Sequence, residues 1–184
     1  WMSLNTQQRP NNWNPWINSN WMACVLYIEA DDTRRQQATH KILLSLDRFI
    51  ASQPADGGCD EGPLYWGRSA GSLFDCLELV YEATNGKVNI FEDPLIQDMG
   101  RFAYRAHING RHYINFADAS PINHLDASLL YHYGKHIHDT DLMAFGAWID
   151  EARRRTGNVG SSAGAPMRFL RALFRSRDME IAPG

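Results

Sequence analysis

Cysteine is scarce in this chain. Three in 184 residues, at positions 24, 59 and 76, are too few for a disulfide framework and too scattered for a zinc site. Long apolar runs are missing: none approaches the roughly 20 residues that cross a bilayer as a helix, so no membrane insertion is expected. Positive charge is not in surplus, with 18 Lys and Arg against 21 Asp and Glu and a net charge of -3. Binding nucleic-acid phosphates requires excess cations, so no nucleic-acid partner is expected. No internal repeat stands out. The chain opens on Trp1, with no initiator Met and no signal-peptide pattern, which predicts a piece of a longer protein. What remains is globular: 44% hydrophobic and 21% charged residues, in a length that suits one domain. Tryptophan is abundant, at six residues. Its flat rings suit a core or a carbohydrate platform.

Most of the chain has helical periodicity. Residues 1–18, rich in Asn, Trp and Pro, read as a loop. Ser19 or Asn20 would cap a first helix carrying Met22, Val25, Leu26 and Ile28 and ending near Asp31. Asp31-Asp32-Thr33 opens a second helix to about Ser52, with Ile42, Leu43, Leu46, Phe49 and Ile50 in phase, and Pro54 stops it. A third helix runs from about Ser69 to Thr84 on Leu73, Phe74, Leu77, Val80 and Tyr81, ended by Asn85-Gly86. A fourth covers 93–106, with Pro94 in its first turn. The period then changes across 107–116, where Asn109-Gly110 sits between apolar alternations and signals a β-hairpin. Three more helices are expected over 124–136, 139–156 and 165–176, with a flexible linker at 157–164. The fold class is therefore mainly all-α, built of antiparallel helical hairpins with one small β-hairpin near 107–116.

Two segments carry the residues of chemical interest. In residues 11–21, six positions are amides or hydroxyls and three are Trp. Side-chain amides donate to a carboxylate without bringing a full charge. The same residues would also serve as helix caps and core filling. The second segment is the loop 54–67, which is long for a compact domain. It places Asp56, Asp60, Glu61, Tyr65 and Trp66 among glycines that let a ligand approach the backbone. A Tyr serves as general acid or base when a neighbouring charge lowers its pKa. Glu61 capping the next helix and Tyr65 packing half-buried is an equal alternative.

Taken together, Asn11-Asn12-Trp13-Asn14-Pro15-Trp16 and, after a helical hairpin, Asp56-Gly57-Gly58-Cys59-Asp60-Glu61-Gly62-Pro63-Leu64-Tyr65-Trp66 resemble the heparinase II/III-like polysaccharide lyases. The run 114–119 also resembles a stretch of uncharacterised members, and the resemblance covers roughly residues 10–120. It implies an incomplete α/α toroid spanning the chain, usually followed by β-sandwich domains that this chain does not include. It also implies a carbon–oxygen lyase that cleaves a uronic-acid-containing polysaccharide by β-elimination, taking the C5 proton and expelling the C4 oxygen. Three demands follow: the carboxylate beside C5 must be neutralised or hydrogen-bonded, a base must take the proton, and an acid must protonate the leaving oxygen.

Matched residue by residue, Asn12 would hold the carboxylate and Tyr65 would act as acid, or as acid and base. Glu61 would position the loop, and Trp13, Trp16 and Trp66 would stack on sugar or wall the cleft, with Asn14 and Asn18 as further substrate-binding residues. No cofactor and no metal are implied. The partner would be an anionic polysaccharide or oligosaccharide, and the location periplasmic or extracellular. Several characterised relatives carry His directly after the motif Asn, where this chain has Trp13. His107, His112 and His124 sit in no matching motif, and Tyr113 and Asp118 are candidates for the cleft wall. Two other classes stay open: a toroid glycoside hydrolase using Asp56, Asp60 and Glu61 as an acid/base set, and a non-catalytic carbohydrate-binding helical module.

The remaining features read as structure. Arg153, Arg154, Arg155, Arg168, Arg171, Arg175 and Arg177 are expected on the solvated faces of two helices. His132 and His136 share a helix face, but no carboxylate-rich motif accompanies them to suggest a metal. Cys24 and Cys76 are expected in the core and Cys59 at the surface.

Overall fold

A computed structural model describes residues 2, 4, 8–156, 167, 168 and 171. Among them the chain forms six helices and one two-stranded antiparallel sheet: α1 (Trp13–Tyr27), α2 (Asp32–Ala51), α3 (Ala70–Ala83), α4 (Pro94–Arg105), β1 (His107–Asn109), β2 (His112–Tyr113), α5 (Ala127–His136) and α6 (Thr140–Thr156). The linker expected at 157–164 lies outside the described residues. So does most of the helix expected at 165–176, including Arg175 and Arg177.

Local chemistry sets most helix starts. Asp31 accepts a hydrogen bond from the backbone N–H of Arg34 at 2.8 Å, Asp93 from Leu95 at 2.8 Å, and Asp126 from Leu129 at 3.0 Å. Asp139 accepts from Leu142 at 2.8 Å and so opens α6. Each satisfies an N–H that the first helical turn leaves without an internal partner.

Helix α1 begins six or more residues earlier than expected. Pro15 lies in its first turn, where its missing N–H costs nothing. Ser19 and Asn20 do not cap it. Their side chains bond back to the Trp16 carbonyl at 2.9 and 2.8 Å, inside the helix. Instead the Asn11 side chain accepts from the Trp13 N–H at 3.2 Å. The buried side of α1 is Asn14, Pro15, Asn18, Ser19, Met22, Ala23 and Val25, while Ile28 is exposed.

α1 packs against both α2 and α3, and α5 lies on α6. The α5–α6 pair is very close. A Cβ at Gly146 would sit 2.8 Å from the Ala127 carbonyl and the Tyr131 N–H, so only glycine permits that approach. The aromatic core gathers Trp66, Phe74, Phe91 and Tyr133, with Phe74 and Tyr133 stacked at 4.7 Å. The hairpin pairs His107 with Tyr113 and Asn109 with His112. Cys76 is buried as expected, but the other two thiols reverse: Cys24 is exposed and Cys59 buried.

The C-terminal arginines also differ from expectation. Arg154 and Arg155 pair on the surface with Asp150 and Glu151, at 2.8 and 2.5 Å. Arg168 and Arg171 are not on a solvated face; they turn inward onto α3. Arg168 donates to Asp75 at 2.7 Å, to the Gly67 carbonyl at 2.6 Å and to Ser72 at 3.1 Å. Arg171 pairs with Glu78 and, at 3.0 Å, with Glu82.

Candidate functional site

The loop 54–67 is held at several points. Gly57 has φ +71° and lies so close to α4 that a Cβ would meet the Asp98–Met99 peptide at 2.3 Å. Gly62, at φ +87°, lies against the Phe116 carbonyl and the Ala119 side chain, which brings the 116–119 segment beside the loop. Both positions need the left-handed conformation that glycine adopts without strain. Asp56 accepts from the Gly58 N–H at 3.0 Å and so closes a turn, and Asp60 pairs with Arg9 at 3.3 Å. Cys59 is enclosed, and burial pushes its thiol up to about 11. The anchor is Trp66, fully buried, whose indole N–H donates to the Met99 carbonyl at 2.8 Å. Gly67 is tied from the other side by Arg168.

The expectation that Trp66 stacks on sugar is therefore corrected. Both its faces are in the core, beside Tyr133 at 6.1 Å. Asn14 and Asn18 are also corrected, since neither exposes any surface. Asn14 donates to the Ser45 hydroxyl at 2.9 Å, and Asn18 donates to Asn14 at 3.2 Å and to Ser45 at 3.1 Å. Ser45 in turn donates to the Met2 carbonyl at 3.0 Å. This polar network joins α1 to α2 where a hydrophobic contact would ordinarily stand. Tyr113 is likewise no cleft wall: it is buried, and burial pushes its phenol up to about 12.

The other expected residues come together. Asn12, buried at the start of α1, donates its amide N–H to the Glu61 carboxylate at 2.5 Å. The guanidinium of Arg68 lies over the Trp16 ring at 4.7 Å and over the Tyr65 ring at 5.5 Å. Trp13, half exposed at 52%, leans on Trp16 with ring centres 5.1 Å apart. Two segments some 50 residues apart in sequence thus meet through one hydrogen bond and one stack of rings around a cation. Arg68 was not among the expected residues. Its signal was its place three positions after Tyr65, in the turn before α3.

Glu61 is electrostatically loaded. Partial burial, then the charges of Asp60 and Asp118, raise its carboxyl from its ordinary value, against the Asn12 hydrogen bond and Arg68. A carboxyl raised on folding adds stability below its unfolded pKa and loses it as pH rises through the folded value. Glu61→Gln keeps an acceptor for Asn12 and removes the charge. Thermal midpoints of the two proteins should coincide at pH 3. The variant should melt higher at pH 7, with the gap opening through the carboxylate range. A gap of opposite sign would show that the negative charge itself holds the loop.

A cavity of about 20 Å³ lies away from these residues, between α3 and α5, where Arg168 and Arg171 line it. That is room for about one water. No cluster of three or more His, Cys, Asp or Glu that could hold a metal ion occurs among the described residues. No helix there is long and apolar enough to cross a membrane. No family model matches the chain, and no curated protein matches it either.

Proposed function

We propose that this chain is the helical, toroid-type portion of a polysaccharide lyase that cleaves a uronic-acid-containing polysaccharide by β-elimination. One observation supports the reading: Asn12 bonds Glu61, while Trp16, one turn along α1 from Asn12, and Tyr65, four residues after Glu61, both face the Arg68 guanidinium. An amide has two N–H donors. Glu61 takes one from Asn12 and fixes its orientation, and the second is the donor for the substrate carboxylate. Hydrogen bonding there draws charge from the carboxylate as the C5 proton leaves, which stabilises the enolate-like intermediate. Tyr65 then protonates the departing C4 oxygen, or moves both protons in turn. Trp13 offers an exposed face to the apolar C–H side of a sugar. The substrate polymer places the protein outside the cytoplasmic membrane.

The raised Glu61 carboxyl, with Asp118 nearby, favours one second reading: hydrolysis by an acid/base pair. Incubation with a panel of uronate polysaccharides separates the two. Elimination leaves an unsaturated uronate that absorbs in the ultraviolet. Reducing ends that appear without that absorbance would overturn the lyase reading and favour hydrolysis. Binding without either product would favour a carbohydrate-binding module.

A further inference from the structure

We infer that Arg68 joins Asn12 in reading the uronate carboxylate of the bound sugar, with Trp16 as the plate that holds its guanidinium in place. The inference rests on the lyase reading for its substrate class and adds a binding residue to it.

The argument starts from the company Arg68 keeps. Most arginines near this region are paired with carboxylates. Arg9 is 3.3 Å from Asp60, Arg101 is 2.8 Å from Asp139, Arg105 is 3.0 Å from Asp98, and Arg168 is 2.7 Å from Asp75. Arg68 is exposed, and among the described residues no carboxylate lies within 4.0 Å of it. Its contacts are two aromatic rings, Trp16 at 4.7 Å and Tyr65 at 5.5 Å. Rings hold a guanidinium through its flat face and leave its N–H edges pointing outward in the plane. Those edges form a rigid fork that matches a carboxylate with two parallel hydrogen bonds. A long side chain on the surface would ordinarily lose rotamer freedom to make such a contact. Here the two rings have already restricted it.

The position fits the substrate. The guanidinium lies over Tyr65, the proposed acid, and over Trp16, against which the half-exposed Trp13 leans. The surroundings also select. Asp60 and Asp118 act on Glu61, as Arg68 does with opposite sign, so the loop is rich in negative charge and a polymer bearing one carboxylate per uronate suits this place better than one densely sulfated. Trp16, whose ring faces the guanidinium, is a support for Arg68 more than a platform for sugar.

The test compares the full chain with Arg68→Met, which keeps the stem and removes the fork, and Arg68→Lys, which keeps the charge alone. Binding of unsulfated tetrasaccharides of mannuronate, guluronate, galacturonate and glucuronate-containing polymers is measured by calorimetry. The same sugars with their carboxyls reduced to alcohols serve as the neutral probes. Release of unsaturated ends is followed in parallel. Arg68→Met should weaken uronate binding about 10- to 100-fold and leave the reduced sugars unaffected, with the thermal midpoint lowered only slightly by loss of the exposed cation–ring contacts. Arg68→Lys should fall between, and it carries the test should the Met variant misfold.

Equal binding of uronates by wild type and Arg68→Met overturns the inference. So does an equal loss for charged and reduced sugars, which would mark Arg68 as packing only. A selective loss of uronate affinity in a protein that forms no unsaturated product would sustain the Arg68 assignment and remove the lyase reading. Unsaturated product with an unaltered KM in the variant would do the opposite. Failure of the wild type to bind any of the four sugars removes both.

Discussion

Tyr65→Phe should lower the release of unsaturated uronate ends about 10²- to 10⁴-fold, the range expected when a positioned proton donor is lost. The substitution removes one hydroxyl from a half-buried side chain and keeps the ring that faces Arg68. Binding of oligosaccharide and the thermal midpoint should therefore stay as in the wild type. A fall in the catalytic rate with unchanged affinity is the signature of a group that acts in the transition state alone. Turnover that survives the change would remove Tyr65 from the mechanism. The carboxyl of Glu61, which accepts from Asn12 and lies in the same loop, would then be the next candidate for the proton.

The second large effect is on stability. Trp66→Ala should cost about 3–5 kcal/mol, the range for truncating a large aromatic in a core. The Met99 carbonyl would also lose its indole donor. Domains of this kind are stable by only about 5–15 kcal/mol, so denaturant titration should show a large shift in midpoint. Trp66→Phe should fall between, because it restores ring contact toward Tyr133 but not the hydrogen bond. A sugar-stacking Trp would behave in the opposite way: its loss would leave the melting curve alone and weaken binding. The pair of variants thus tests directly the correction of Trp66 from cleft wall to anchor.

The difference between Trp66 and Trp13 shows where reading from sequence reached and where it stopped. Helices α2, α3 and α4 fall within a residue or two of their expected bounds, because apolar spacing and the Asp31 and Asp93 caps mark them. The hairpin follows from Asn109-Gly110 in the same way. Helix α1 was misplaced because much of its buried side is polar. Asn14, Asn18 and Ser19 are enclosed through hydrogen bonds, and a hydrophobic pattern cannot register them. That error carried Cys24 to the wrong side of the helix. Asn12 and Tyr65 were singled out by their motifs, but their neighbours depended on tertiary contact. Whether a Trp beside a motif faces sugar or core is decided by what packs across from it, here Met99 and Tyr133, which lie 33 and 67 residues further along the chain. Arg68 was passed over for the same reason: its ring partners come from both segments at once.

The grip of Arg168 on Asp75 and on the Gly67 carbonyl has a consequence for how the protein is made. These groups are separated by 93 and 101 residues. At about 5–20 residues per second, a ribosome needs roughly 5–20 s to travel from one partner to the other. Throughout that interval Asp75 has emerged and its cation has not, so the carboxylate must stay hydrated and the turn beside Tyr65 must wait. Vectorial synthesis therefore completes the clasp last. A nascent chain stalled before residue 168 would lack the bond that pins Gly67.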